Sequence, residues 1–294
     1  MKAGSTVVWQ ALGAATQWSM GFDCEVIAQT QLLARVRRKE ESLSSVVQGC
    51  MEEVFKFALA KDPMLTPLAN RLATAWPALS THAEALKLYF LVRNVFDCVR
   101  SLLDHLVVKT RIEPDDEGGQ LFSLENMPQA ARFTRGKQLF LDVTQEGLNF
   151  SGYIDAAVQR WALTVDEYLR CPSRFVLVRY EDFKASPVST TELLLRELGL
   201  GDLWNKEAAQ RVAEAAQVQY QSPGTSRSRD FREVFGTAML ARICEAVESR
   251  MLLLGYGDLL RRLGHCDRMA TDGASWPGAA IQMPALPTSA TKCA

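Results

Sequence analysis

Four clusters in this chain have residue types and spacings suited to holding a phosphorylated anion. Lys2-Ala3-Gly4-Ser5-Thr6 sets a lysine, a glycine and two hydroxyls directly before a helical pattern. Backbone N–H groups at a helix start point outward and the dipole favours negative charge there, so Lys2 would complete an anion cradle. Arg93 follows an apolar run, with Ser101 in the helical pattern after it. A guanidinium offers a phosphate two parallel hydrogen bonds, and a hydroxyl can add a third. Arg179-Tyr180-Glu181-Asp182-Phe183 stands at the end of a second apolar run, and Ser226-Arg227-Ser228-Arg229-Asp230-Phe231-Arg232 places three arginines before the last long helix. Each cluster also has a plainer reading. These are an exposed turn at Lys2, an Arg93–Asp97 ion pair, acids at 181 and 182 that orient arginines or cap a turn, and a solvated arginine loop. Because the lysine precedes the glycine and no glycine lies upstream, the first cluster is not a Walker A loop.

A crevice that holds such an anion can also carry a proton acceptor. Of three histidines, His82 in Ser80-Thr81-His82 is best placed, eleven residues before Arg93. A neutral imidazole there could take a proton near pH 7; a capping or solvated histidine is the alternative. His105 lies a turn beyond Ser101 and reads as structural, and His265 borders the C-terminal tail.

The elements that must position these groups alternate between strand and helix patterns. Leu88-Tyr89-Phe90-Leu91-Val92 and Phe175-Val176-Leu177-Val178 are unalternating apolar runs of strand length, which suits strands covered on both faces of a parallel sheet. Helices are expected over residues 5–20, 43–59, 154–169 and 237–254, the last stopped by Gly255, and after the first apolar run with Phe96, Val99, Leu103 and Leu106 on one face. Ser189-Thr190-Thr191-Glu192 has capping-box spacing, and Gly199 stands where that helix would stop. The charge run over residues 35–41 reads as a solvated face. Strand–helix alternation predicts an open α/β sheet with its ligand at the strands' C-terminal ends. Residues 109–152 have weak periodicity and read as a long excursion, a candidate substrate lid. Residues 266–294, of which 17 are Ala, Pro, Gly, Ser or Thr, are expected to form a disordered tail behind one domain spanning 1–265.

Composition narrows the partners. With 48% hydrophobic residues among 294, the chain can pack a core. Thirty-three basic residues against 34 acidic ones leave a formal charge of −1. That removes a bulk electrostatic case for nucleic acid or an anionic membrane. No apolar run approaches the ~20 residues of a membrane span. Seven cysteines with no CxxC pair argue against a disulfide framework or a zinc site, and so for a reducing, cytoplasmic setting.

Taken in order, the four clusters resemble the sulfotransferases that use 3′-phosphoadenosine-5′-phosphosulfate (PAPS). Lys2-Ala3-Gly4-Ser5-Thr6 is similar to their 5′-phosphosulfate loop, and Arg93, Asn94, Asp97 and Ser101 resemble their 3′-phosphate motif. Arg179-Tyr180-Glu181-Asp182-Phe183, followed by Pro187 and Leu198-Gly199-Leu200, resembles a further segment typical of the family, and the arginine loop resembles their C-terminal end. The likeness spans residues 2–256. It implies a P-loop-like open parallel sheet flanked by helices, and sulfuryl transfer from PAPS to an acceptor hydroxyl or amine, a small molecule or carbohydrate, without a metal. By this resemblance Lys2, Gly4, Ser5 and Thr6 hold the 5′-phosphosulfate, with Lys2 also neutralising the leaving group. Arg93 and Ser101 hold the 3′-phosphate, helped by Arg227 or Arg229, Tyr180 lies against the adenine, and His82 is the base. Ser80-Thr81-His82 resembles their Lys-Thr-His segment at the end of a strand, here a short strand expected at Ala78-Leu79, with Ser80 in place of the lysine; Val7 and Ser228 depart from the tryptophan and glycine common in the family. Family members carry the first central strand just upstream of the donor loop. This loop begins at the second residue, so the expected sheet lacks that strand and the isolated chain is expected to be marginally stable. A non-catalytic nucleotide-binding module of the same fold is the alternative function.

Overall fold

The computed structural model describes residues 5–22, 36, 39–44, 58–61, 66–79, 86–110, 153–217 and 230–264. The fold is mixed helix and strand and mostly helical. It divides into two compact units, one holding the described residues of Asn94–Leu163 and Gln221–Ala285, the other those of Ala3–Arg93 and Thr164–Tyr220.

The second unit carries all the described strands, as two parallel pairs: β1 (Met20–Phe22) with β2 (Leu59–Lys61), and β3 (Leu88–Val92) with β4 (Phe175–Arg179). The expected parallel architecture is therefore present, as two separate two-stranded sheets among the described residues. β3 and β4 run in register from Leu88↔Phe175 to Val92↔Arg179. Their unbroken apolar character follows from what covers each face. Tyr89, Leu91, Val176 and Val178 pack into a core formed by α1 (Ser5–Thr16), α6 (Pro187–Glu197) and α7 (Lys206–Gln217). On the alternate positions, Phe90 stacks on Tyr168 of α4 (Tyr153–Arg170) at 4.9 Å, with Phe175 edge-on to both rings. Burial pushes the Tyr89 and Tyr168 phenols above the ordinary phenol range. Both groups are protonated in the fold where the unfolded chain would ionise. Stability should therefore be full below about pH 10 and fall as pH rises beyond it. Urea titrations at pH 8, 10 and 11 check this, and Tyr168→Phe should flatten the slope.

Several boundaries differ from the sequence expectation for identifiable reasons. The first helix ends at Thr16, not at residue 20, because Gln17 adopts φ 57° and its N–H donates to Gly13 O at 2.8 Å. The chain then leaves directly into β1. Within α1, a Cβ on Gly13 would overlap the Met20 sulfur, so this glycine admits the β1 side chain against the helix. A side chain at left-handed φ costs about 1 kcal/mol, so Gln17→Gly should stabilise the chain by about that much in urea unfolding. Residue 59, expected in a helix, is the first residue of β2, and residues 45–57 of that expected helix lie outside the described ones.

The short strand expected at residues 78 and 79 is instead the end of a helix, α2 (Ala69–Leu79). Leu68, Leu72 and Trp76 are buried at four-residue spacing, a helical stripe that outweighs a two-residue strand signal. The Asn70 backbone N–H, in the first turn of α2, donates to the buried Glu167 carboxylate at 3.0 Å, and Arg174 donates to Asn70 O at 2.7 Å. After β4 come α5 (Tyr180–Ala185) and then α6, which begins at Pro187 rather than near Ser189. Proline fits the first helical position, where its missing N–H has no intrahelical partner to lose. Glu192 consequently lies mid-helix and pairs with Arg196 at 2.7 Å instead of closing a capping box. Gly199, at φ 67°, stops α6 as expected, with Leu200 N donating back to Leu195 O at 2.7 Å. Arg211 of α7 reaches the C-terminal carbonyls of α1, bonding Ala14 O at 2.7 Å and Ala15 O at 3.1 Å.

The first unit is helical throughout its described residues: α3 (Val95–Thr110), the N-terminal half of α4, α8 (Phe231–Val234), α9 (Thr237–Leu253) and α10 (Gly257–Arg262). Phe96 and Val99, on the face read from the sequence, are buried, and so are Val158, Trp161, Ile243, Val247 and Met251. Gly255, at φ 80°, stops α9 as expected. Cys98 and Cys244 are buried free thiols, but Cys171 is disulfide-bonded, which corrects the expectation that the scattered cysteines form no disulfide. Among the described residues no helix is long and apolar enough to cross a membrane.

Candidate functional site

Register decides what gathers at the end of the longer sheet. Because Val92 pairs with Arg179 in a parallel ladder, the residues that follow, Arg93 and Tyr180, leave the sheet side by side at its C-terminal edge. The Arg93 guanidinium carbon lies 4.8 Å from the centroid of the Tyr180 ring. A cation over a ring face is attracted by the ring quadrupole. Two clusters far apart in sequence thus meet in one place. Both side chains are half-buried.

The surroundings of this pair account for the neighbouring acids. Asp182 accepts from Arg179 Nε at 2.7 Å and from its Nη2 at 3.0 Å, a bidentate fork between partly exposed groups. The plainer reading of Asp182, an acid orienting an arginine, therefore holds. The chain passes from one unit to the other between Arg93 and Asn94. Asn94 is buried and caps α3: its Oδ1 accepts from Asp97 N at 2.9 Å, while its Nδ2 donates to Asp97 Oδ2 at 2.9 Å. This is a reciprocal cap on the first turn, the asparagine–aspartate counterpart of a capping box. Neither role was read from the sequence, although asparagine three residues before an acid ahead of an apolar stripe is the signal for it. Ser101 lies further along α3 and is half-buried.

The remaining expected residues divide between described and undescribed positions. Thr6 is in the first turn of α1 and half-buried, and Ser5 begins that helix, so the helix expected from residue 5 starts there. Lys2, Gly4, His82, Arg227 and Arg229 lie outside the described residues. His82 follows a helix in the sequence rather than the expected strand. That removes the structural context that likened its segment to a strand-end histidine. Arg232, the last arginine of the loop, is forked onto Asp230 at 3.0 and 2.6 Å. Among the described residues no group of three His, Cys, Asp or Glu converges to hold a metal ion.

No family model, curated protein or solved structure matches the chain. The functional reading therefore rests on the residues and their placement.

Proposed function

We propose that this chain is a PAPS-dependent sulfotransferase, moving a sulfuryl group to an acceptor hydroxyl or amine. The observation that carries the reading is the convergence of Arg93 and Tyr180 at the C-terminal edge of two parallel strands. A strand-end cation beside an aromatic face is what a phosphorylated purine nucleotide requires, and strand C-termini are where open α/β sheets bind ligands. The capped start of α3 supports the same reading, because it holds the first turn of the helix that bears Ser101.

In the proposed reaction the acceptor oxygen or nitrogen attacks sulfur in line. The bond from sulfur to the bridging phosphate oxygen breaks, and 3′,5′-diphosphoadenosine leaves. Positioning and electrostatic stabilisation do most of the work in such displacements. Arg93, Ser101 and the arginines at 227 and 229 would hold the 3′-phosphate, with Tyr180 against the adenine. Ser5, Thr6 and the Gly4 backbone would hold the 5′ end, and Lys2 would neutralise the departing oxygen. His82 would take the acceptor proton.

The test is transfer of radiolabelled sulfate from PAPS to an acceptor library, with Lys2→Ala and His82→Ala alongside. Transfer that is abolished in Lys2→Ala and strongly reduced in His82→Ala supports the roles; undiminished transfer in both removes them. Calorimetry with 3′,5′-diphosphoadenosine separates the alternatives. Tight binding without transfer to any acceptor would leave a nucleotide-binding module, and no binding would remove the family reading altogether.

A further inference from the structure

Asp182 holds the chain in both directions. Its carboxylate accepts both hydrogen bonds of the Arg179 fork, and its carbonyl accepts from Ser186 N at 3.0 Å and from Thr190 Oγ1 at 3.1 Å. Arg179 is the residue before α5, and its side chain caps none of that helix's backbone N–H groups. At six residues α5 is too short to persist in water on its own. Phe183, buried in the same core as Val178 and Leu195, seats the helix against β4 and α6. The fork then governs how the first turn is rotated, because it closes a ring of residues from the last of β4 to the third of α5. Tyr180 lies inside that ring, with the Arg93 guanidinium over its aromatic face.

Resting on the donor-binding reading above, we infer that Asp182 is a positioning residue for the nucleotide base. Through the fork it sets the Tyr180 ring at the angle from which the ring meets the Arg93 guanidinium and an adenine. An aromatic platform binds a base best when its plane is fixed beforehand, since a ring free to turn loses that freedom on binding. Tyr180 stands half-buried at a strand end, where little packing is available to fix it. Engagement by Arg179 also neutralises a carboxylate that would repel the phosphates of the ligand. Asp182 does this without touching the nucleotide.

The experiment measures affinity for 3′,5′-diphosphoadenosine and for ribose 3,5-bisphosphate, which lacks the base, in the full chain and in Asp182→Ala, Asp182→Asn, Tyr180→Leu and the Asp182→Ala, Tyr180→Leu double variant. An exposed ion pair has a modest effect, so Asp182→Ala should weaken the nucleotide about fivefold and change the ribose bisphosphate by less than about twofold. Asp182→Asn, which keeps one acceptor for Arg179, should lose less. In the Tyr180→Leu background no ring remains to be held, and Asp182→Ala should cost nothing further. In the free chain, the aromatic NMR signals of Tyr180 should move in Asp182→Ala. Equal losses for both ligands, a full loss persisting without Tyr180, or unmoved ring signals overturn the inference alone. Failure of the unmodified chain to bind 3′,5′-diphosphoadenosine overturns the donor reading and the inference with it. Should Asp182→Ala not fold, the near-isosteric Asp182→Asn at this half-exposed position carries the comparison.

Discussion

Arg93→Ala is expected to weaken binding of 3′,5′-diphosphoadenosine about a hundredfold while changing adenosine 5′-phosphate by no more than about fivefold. The magnitude follows from the two charge-assisted hydrogen bonds that a guanidinium fork gives a phosphate, together about 3 kcal/mol once competition with water is counted. Arg93→Lys keeps the charge but loses the fork, so it should recover only part of the affinity. The Tyr180 contact supplies an internal control. With the guanidinium carbon 4.8 Å from the ring centroid, removing the cation also frees the ring, an effect that should reach both nucleotides alike and be worth about 1 kcal/mol or less at a half-exposed site. Calorimetry on the two ligands separates the contributions. Equal weakening of both would mean that Arg93 serves the fold or the ring and not a 3′-phosphate.

A second large effect is expected from Phe96→Ala, which should destabilise the chain by about 3–5 kcal/mol. Phe96 is fully buried and stacks on Phe231 at 5.0 Å, so truncation leaves a cavity and strips one face from its partner ring. Loss on that scale is a large part of the ~5–15 kcal/mol that holds a domain together. The measurement is urea unfolding followed by tryptophan fluorescence. Phe96→Leu should retain more than half of the lost stability by filling most of the space. A change below about 1 kcal/mol for the alanine variant would mean that α3 and α8 are not packed as described.

Much of the fold was legible because local patterns and tertiary surroundings agreed. The two unalternating runs became β3 and β4, since helices pack against both faces of that pair. The helices ending at Gly199 and Gly255 stopped where a left-handed residue was expected. Misreadings arose where two local signals competed. A capping-box spacing at 189–192 lost to Pro187 two residues earlier, and a brief strand signal at 78–79 lost to the buried stripe of Leu68, Leu72 and Trp76. Gln17 gave no warning of its left-handed backbone, so the turn between α1 and β1 was missed.

The candidate site was legible as parts. Residue type and spacing alone marked Arg93 as a strand-end cation and Tyr180 as the start of a turn, because apolar runs of fixed length carry their own ends. What those parts do together was decided only by the pairing of β3 with β4. A one-residue slip in that ladder would flip side chains to the other face and part the guanidinium from the ring. Chain periodicity encodes which face of an element is apolar. It does not encode which distant element will cover that face, and that choice is what brings the Arg93 guanidinium over the Tyr180 ring.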